Sequence, residues 1–203
     1  MKPSTKPLFT LAGNMQLVLA SGSPRRKQFL DDLGIPYIVR PVSGEPDAIP
    51  GQNSREFALH CALFKMWAAR KADNEVVLAA DTIVTLDGRI MGKPSDRSEA
   101  LEMLKSLSGR DHQVITAVAL SFADQNTITV CDVCNVHFYP FGEDILRSYV
   151  GTGECDDKAG AYAIQGKGAF LVEKIDGSWS TVVGLPMTWV VQKLLQAGVL
   201  LPA

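Results

Sequence analysis

The sequence has no apolar run that approaches the roughly 18 residues needed by a membrane-spanning helix. It also has no strong excess of one charge, because 20 basic side chains are balanced by 22 acidic ones and the formal net charge is −2. A chain this close to neutrality has no global positive field that would draw it to a nucleic acid polymer or to a membrane. We therefore expect neither partner, although local cations can still bind a nucleotide.

Cysteine is scarce, with four residues in a chain of 203. Cys131 and Cys134 form a C-x-x-C pair inside the apolar stretch ITVCDVCNVHFY, which has the character of a strand. A zinc site would need two further ligands at suitable spacing, and this pair does not supply them. We favour ordinary reduced thiols of a cytoplasmic protein, with a redox or zinc centre as the alternative.

Internal repeats and low-complexity tracts are absent, and the hydrophobic residues, 46% of the chain, are enough for a substantial core. We expect residues 1–15 to form an N-terminal extension that can be disordered, and residues 16–203 to form a single domain. Strand-like segments interleave with helical ones, and long hairpins follow. The chain is therefore predicted to have an α/β fold, with a mixed twisted sheet and flanking helices.

Two predicted helices begin at recognisable capping signals. Ser23 and Pro24 stand at the start of a helix expected over residues 24–33, because serine is a common cap and proline suits the first turn. A long helix is expected over residues 54–72, with Ser54 as its cap. Further helices are predicted over residues 96–107, 142–150 and 186–197.

Predicted strands and hairpins account for much of the remaining chain. The pairs Asp87-Gly88 and Asp176-Gly177 each follow a strand-like segment, and Asp-Gly pairs favour tight hairpin turns. Strands are predicted at residues 16–21, 36–42 and 75–81, with two more long strands between residues 112 and 141 joined by a polar turn.

The segment LVLASGSPRRKQFLDDLG, residues 17–34, has the features of an anion site. A strand that passes through a small-residue turn into a helix leaves unpaired backbone N–H groups at the helix start. Arg25 and Arg26 add forked donors suited to phosphate oxygens. Cations at a helix N-terminus are unfavourable, so an anionic ligand explains them better than solvated surface positions do.

A carboxylate and a glycine-rich loop are the next candidates. Asp81 ends a buried strand, where it could hold Mg²⁺, act as a general base on water, or only cap a turn. In DDKAGAYAIQGKGA, residues 156–169, Lys158 offers a point charge for phosphate and Gln165 could read a base edge. A merely flexible loop is the alternative. His60, His112 and His137 are expected to be structural.

Six motifs occur in a recognisable order and together resemble the Maf family of nucleoside triphosphate pyrophosphatases. They are LASGSPRRKQFLDDLG, AADTIV, GKP, LSGRDHQVITAVAL, DKAGAYAIQGKGA and VVGLP, between residue 16 and about residue 197. The resemblance implies two lobes around a cleft, a homodimer, and hydrolysis of a nucleoside triphosphate to the monophosphate and pyrophosphate. It also implies a divalent metal, Mg²⁺ or alternatively Mn²⁺ or Co²⁺. Some family members are associated with septum formation.

The resemblance also assigns roles to residues of this sequence. Asp81 would be the catalytic carboxylate and, with Glu45, a metal ligand. The positions used for base selection would be Arg25, Thr82 and Gln165. The phosphate-binding set would be Ser21, Arg25, Arg26, Lys65 and Lys93, and Lys158 joins it as a cation of the glycine-rich loop. One position departs from the family, because Pro46 replaces the second residue of an acidic pair.

The segment DKAGAYAIQG resembles the branch of the family that acts on dTTP and UTP, because the branch that acts on 7-methyl-GTP typically lacks the glutamine. Pyrimidine triphosphates, including modified ones, are therefore the expected substrates. Two alternatives remain at this point. One is a 7-methyl-GTP-type pyrophosphatase, and the other is a nucleotide-binding regulator of cell division with little turnover.

Overall fold

The computed structural model describes residues 6–44, 46–70, 72–122, 124 and 126–203. Nine strands and six α-helices occur in these residues. The strands are β1 (Phe9–Leu11), β2 (Gln16–Leu19), β3 (Ile38–Val39), β4 (Glu75–Leu86), β5 (Arg89–Met91), β6 (Asp111–Ser121), β7 (Thr127–Phe138), β8 (Val172–Asp176) and β9 (Leu200–Pro202). The helices are α1 (Pro24–Asp32), α2 (Ser54–Ala69), α3 (Arg97–Leu107), α4 (Glu143–Gly151), α5 (Trp179–Val183) and α6 (Met187–Gln196). None of the described helices is long and apolar enough to cross a membrane.

A seven-stranded mixed sheet forms the centre of the molecule. Its order is β3-β2-β4-β6-β7-β8, and β5 adds to β4. The first three strands are parallel to one another, whereas β4, β6, β7 and β8 form an antiparallel series. The predicted α/β fold with a mixed sheet is confirmed.

Strand β4 changes partners along one of its edges. Residues 75–78 pair with β2 in parallel, and residues 84–86 pair with β5 antiparallel. No described strand pairs with residues 79–83 along this edge. The opposite edge is paired continuously with β6 from Val77 to Thr85, so the strand stays rigid through the gap.

Three buried clusters divide the molecule into two lobes that share β4 and β6. In the first lobe, Leu17, Leu78 and Leu120 lie on one sheet face under α1 and α6, and the alanine-rich second face is covered by α2. In the second lobe, Phe138 and Leu104 belong to a core between the far ends of the long strands and helices α3 and α4. The two lobes flank a cleft, as the resemblance implies.

The two ends of the described chain pair with each other. Residues 9–11 in β1 run antiparallel to residues 200–202 in β9, and Phe9 and Leu11 pack against the core of the first lobe. Within the predicted extension, this strand therefore has partners for its backbone groups and apolar side chains, and the extension itself stays a prediction. Residues 1–5 lie outside the described residues, and the domain boundary after residue 15 stays a prediction.

Helix α2 begins at a different cap from the one predicted. Asn53 accepts hydrogen bonds from the backbone N–H groups of Arg55 and Glu56, both at 3.0 Å, and the Glu56 carboxylate accepts the Asn53 N–H at 2.9 Å. This reciprocal arrangement is a capping box. Ser54 is the first helical residue, so its prediction as the cap is wrong by one position.

The two Asp-Gly pairs have different outcomes. At residues 87–88 both φ angles are positive, at 52° and 78°, and the chain forms the predicted hairpin between β4 and β5. The hairpin predicted at residues 176–177 is wrong. The backbone carbonyl oxygen of Ser178 accepts the N–H groups of Thr181 and Val182, which starts the short helix α5 instead of a returning strand.

His112 lies in the core of the second lobe and is only 3% exposed. Its Nε2 is 2.8 Å from the Tyr162 hydroxyl, and its ring contacts the rings of Phe138 and Tyr162 edge to face. Burial lowers the pKa of His112 to about 4, while Asp111 opposes this shift and His137 adds to it. The expectation of a structural role agrees with this environment.

We expect Asn53→Ala to lower the free energy of unfolding by about 1 kcal/mol, because two backbone N–H groups of α2 would lose their acceptor. Ser54→Ala is the matched control, and its effect should be below about 0.5 kcal/mol. Urea unfolding of both variants measures the difference. Equal losses for the two variants would contradict the assignment of the cap.

We expect His112 to make folding less favourable as the pH falls from 7 to 5. The unfolded chain takes up a proton near the ordinary pKa of 6.5, whereas the folded protein does not until about pH 4. The expected contribution is about 2 kcal/mol over this range. Urea unfolding at both pH values should show a correspondingly smaller loss for His112→Gln, and an identical loss would refute the prediction.

Candidate active site

The gap in the edge of β4 presents two polar side chains on opposite sheet faces. Asp81 and Thr82 are consecutive residues of the strand, so one points toward α2 and the other toward α1. Their register partners on β6 are Ala117 and Thr116. The strand therefore contributes a carboxylate and a hydroxyl at one point of the cleft.

Asp81 is held by a lysine from α2. Lys65 Nζ forms an ion pair and hydrogen bond with Asp81 Oδ1, and Asp81 is only 8% exposed. Lys65 occurs in an otherwise apolar helical stretch, and the pairing explains how that helix accommodates a cation. The second carboxylate oxygen of Asp81 is available for a metal ion or a water molecule.

Arg26 joins three separate segments through one guanidinium group. Its Nε donates to the carbonyl oxygen of Gly184 at 2.8 Å. Its Nη1 donates to Ser21 Oγ at 3.1 Å, and its Nη2 donates to Thr82 Oγ1 at 3.0 Å. Burial lowers the pKa of Arg26 to about 10, Asp81 opposes that shift, and Arg25 contributes to it, so the group stays charged at neutral pH. Two of its five N–H groups remain for an anion.

Ser21 is arranged to donate its hydroxyl proton into the site. Its Oγ accepts hydrogen bonds from Arg26 Nη1 and from the backbone N–H of Ser23, at 3.1 and 3.2 Å. Both acceptor positions of the hydroxyl are thus used, and its own proton remains available. Ser23 occupies the cap position of α1, but its side chain makes no capping hydrogen bond.

The cleft has a cationic end and an uncharged end. A cavity of about 300 Å³ contains both ends. A second cavity of about 520 Å³ adjoins it, because Arg26, Lys65 and Lys93 line both. The uncharged end is formed by apolar side chains and one amide, namely Val84, Val114, Val182, Val183, Ile164 and Gln165.

The structure brings nearly all of the predicted site residues together. The main cavity is lined by Arg25, Arg26, Lys65, Asp81, Thr82, Lys93, Lys158 and Gln165, and Ser21 lines the adjoining cavity. Glu45 lies outside the described residues. The roles of these side chains toward a ligand remain predictions.

The loop that carries Gln165 is fixed by a carboxylate. Glu154 accepts the backbone N–H groups of Lys167 and Gly168, at 2.9 and 2.7 Å. These bonds lower the pKa of Glu154 against an opposing effect of burial. At Gly166, which has a φ of +88°, a Cβ would lie 2.4 Å from a Glu154 oxygen. The loop is therefore packed, which argues against the alternative of a merely flexible segment.

Sequence reasoning missed two polar residues of the site. Asp157 lines the cleft, and its hydrogen bond with Lys158 lowers the pKa of the carboxyl, with a smaller contribution from Arg25. Its place beside Lys158 in the glycine-rich motif could have indicated it. Thr116 lies behind Thr82 on β6, and only the strand register brings the two together, so no local signal identifies it.

The carboxylates of the site suit a divalent cation that is shared with a ligand. Among the described residues no group of three His, Cys, Asp or Glu side chains could enclose a metal ion. Mg²⁺, however, is commonly held by one or two carboxylates together with water and substrate phosphates. The free oxygen of Asp81 beside a cationic cleft fits that kind of site.

The cleft of this α/β fold is lined by cations, by a carboxylate and by apolar side chains, a combination that suits a small ligand with several negative charges and an uncharged ring. The family described as Maf-like protein matches residues 16–197 of the chain. This protein belongs to the Maf family.

Relatives match most of the chain. The dTTP/UTP pyrophosphatase of Oleidesulfovibrio alaskensis is 44% identical over 191 residues, covering 92% of this chain and 87% of the relative. The dTTP/UTP pyrophosphatase of Bacillus velezensis is 48% identical over 174 residues, covering 85% of this chain and 91% of the relative. The Staphylococcus aureus Ham1 protein has a similar fold, with a TM-score of 0.50, 18% identity, and coverage of 90% of this chain and 96% of that chain.

We expect Arg26→Lys to lower the free energy of unfolding by about 2 kcal/mol, because an ammonium group cannot reach Gly184, Ser21 and Thr82 together. Arg25→Lys is the matched control, since the residue adjoins Arg26 and lines the same cleft. Its effect should be within about 0.5 kcal/mol. Urea unfolding compares the two variants, and equal stability would contradict the bridging role of Arg26.

Proposed function

We propose that this protein hydrolyses dTTP and UTP, and modified pyrimidine triphosphates of similar shape, to the monophosphate and pyrophosphate. The observation that carries the proposal is the cleft itself. Asp81 lines a cavity together with cations suited to a polyphosphate and with apolar side chains suited to a base, and three of these cations also line the adjoining cavity. The relatives named dTTP/UTP pyrophosphatases, at 42–48% identity over most of the chain, support the same reaction.

The phosphates would lie at the cationic end of the cleft. Arg26, Lys65 and Lys93 line the two adjoining cavities, and Lys158 lines the main one. Ser21 can add its free hydroxyl proton, and the start of α1 adds backbone N–H groups. These donors would stabilise negative charge that develops on the phosphate oxygens during hydrolysis.

Asp81 would orient the attacking water and accept its proton. The water oxygen forms a bond to the α-phosphorus, the bond from that phosphorus to the bridging oxygen breaks, and pyrophosphate leaves. Lys65 would keep the carboxylate in one orientation through its ion pair with Oδ1. Catalysis would therefore rest mainly on positioning and electrostatic stabilisation.

We further propose that Asp81 helps to hold a divalent cation, with Glu45 and Asp157 as candidates for additional support. Mg²⁺, Mn²⁺ or Co²⁺ bound there would offset charge on the phosphate oxygens and increase the acidity of a bound water. The replacement of the second family acid by Pro46 leaves fewer protein ligands, which favours a cation shared with the substrate.

The base would lie in the uncharged pocket. Gln165 offers a donor and an acceptor from one amide, and Thr82 offers a hydroxyl on the same side of the sheet as Val84. Val84 and Val114 are register partners, so they form a continuous apolar surface against which a pyrimidine ring could pack. Arg25 lies at the same cleft and is the third candidate for selecting the base.

The setting of the enzyme also follows from its chemistry. Cys131, Cys134 and Cys155 are free thiols, which suits a reducing compartment, and we infer a cytoplasmic enzyme of nucleotide metabolism. A homodimer, implied by the family resemblance, stays a prediction that sedimentation can test.

The deciding experiment measures pyrophosphate release with Mg²⁺ or Mn²⁺ from dTTP, UTP, CTP, GTP and 7-methyl-GTP. We expect dTTP and UTP to be the best substrates. Asp81→Asn should lower kcat at least about 100-fold, because the carboxylate that acts on water is lost. Asp87→Asn is the matched control at the exposed hairpin and should keep full activity.

Two results would change the proposal. Wild-type release no faster than that of Asp81→Asn would contradict the enzymatic function and leave a nucleotide-binding regulator. A preference for 7-methyl-GTP would keep the reaction but overturn the pyrimidine assignment.

A further inference from the structure

A chain of hydrogen bonds runs from Arg26 through two threonines to a backbone carbonyl. Arg26 Nη2 is 3.0 Å from Thr82 Oγ1, which is 2.9 Å from Thr116 Oγ1. Thr116 Oγ1 is 2.8 Å from the carbonyl oxygen of Thr181. Thr116 and Thr181 are completely buried, so water does not compete for these groups.

The chemistry at the two ends fixes the direction of every bond in this chain. A guanidinium N–H can only donate, and a carbonyl oxygen can only accept. Thr116 must therefore give its single proton to the carbonyl of Thr181. Thr82 must then give its own proton to Thr116, since the Thr116 oxygen has none left for Thr82.

This direction determines what Thr82 can offer to a ligand. Its proton is used by Thr116, and one of its two acceptor positions is used by Arg26. A single acceptor position remains on the hydroxyl of Thr82, a residue that lines the cleft. The group that meets Thr82 from the cleft must therefore carry an N–H or O–H.

The residue at the end of this series of hydrogen bonds, Thr181, is itself held in place. The Thr181 hydroxyl hydrogen-bonds Asp132 Oδ2 on β7, which anchors the segment whose carbonyl receives the Thr116 proton. Gly184 packs closely against the Thr82 hydroxyl, because a Cβ at this position would lie 3.2 Å from Thr82 Oγ1. The φ of Gly184, +120°, also favours glycine. The Thr82 hydroxyl thus keeps this orientation as long as Thr116 accepts its proton.

We propose that Thr116 is a positioning residue that makes the site select uracil-type over cytosine-type bases. The inference rests on the proposed function, a pyrimidine triphosphate bound with its base in the uncharged pocket. The rings of uracil and thymine nucleotides have a single N–H donor, at N3, and it matches the one free acceptor of Thr82. Cytosine carries its N–H donors on the 4-amino group and has an unprotonated N3, so a cytosine bound with N3 at the same place would present a second acceptor to the Thr82 oxygen.

Removal of the Thr116 hydroxyl should relax this selection. In Thr116→Val the Thr82 proton loses its acceptor, and the hydroxyl can rotate to donate into the cleft. The ratio of kcat/KM for UTP to that for CTP should fall about tenfold, the usual effect of one hydrogen bond. The change should occur mainly in KM, because contact with the base is made before and during the reaction.

Two control variants separate this effect from general damage. Thr116→Ser retains the hydroxyl and should keep the UTP-to-CTP ratio within about twofold, which a loss of packing alone would not predict. Thr85→Val makes the same change at a buried threonine of β4 on the opposite sheet face, and its ratio should be that of the wild type. A purely structural role of Thr116 would lower the rates with both nucleotides equally.

The same variants distinguish this inference from the proposed function. A wild-type enzyme that cleaves UTP, with a ratio unaffected by Thr116→Val, would overturn the inference and leave the function standing. Absence of pyrophosphate release from every nucleotide would contradict the function instead. In that case the selectivity would be measured as the ratio of the dissociation constants for UTP and CTP. A ratio that is the same in the wild type and in Thr116→Val would equally overturn the inference.

Discussion

The arrangement of the site depends on the unequal lengths of the strands that flank β4. This strand has 12 residues, but β2 has four and β5 has three, so their common edge leaves residues 79–83 unpaired with any described strand. Continuous pairing with β6 keeps this segment straight and in register. Side chains from α1 and α2 can therefore reach Asp81 and Thr82 from both faces of the sheet. A β2 strand long enough to fill the gap would close the cleft.

Two cations of the cleft have different kinds of partner. Lys65 is neutralised directly by Asp81, whereas Arg26 is surrounded by the neutral oxygens of Ser21, Thr82 and Gly184. Neutral oxygens orient a guanidinium but do not cancel its charge, so positive potential remains in the cleft. Two adjacent arginines at one helix start thus differ in role, because Arg26 is part of the framework and Arg25 is not bonded in the same way.

The sequence predicts local features of this protein better than pairings between distant segments. Asp87-Gly88 was sufficient to predict a hairpin, because the turn depends on two residues. The pair Asp176-Gly177 does not predict its structure correctly, because the backbone that follows it forms helix α5 instead of a strand. Most polar residues of the cleft are recognisable from the order of their motifs along the chain, although Asp157 is not among those predicted. Thr116 cannot be recognised in this way, since its proposed role arises only from its register with Thr82 and from its hydrogen bond to the carbonyl oxygen of Thr181.

The pairing of β1 with β9 has a consequence for how the molecule folds. It joins segments separated by almost the whole chain, and the entropic cost of closing so large a loop cannot be met by a three-residue ladder alone. The intervening domain must bring the two ends together before they pair. We therefore expect the ladder to form late in folding. The long β4–β6 pairing, which supports the site, belongs to a different sheet and does not include these strands.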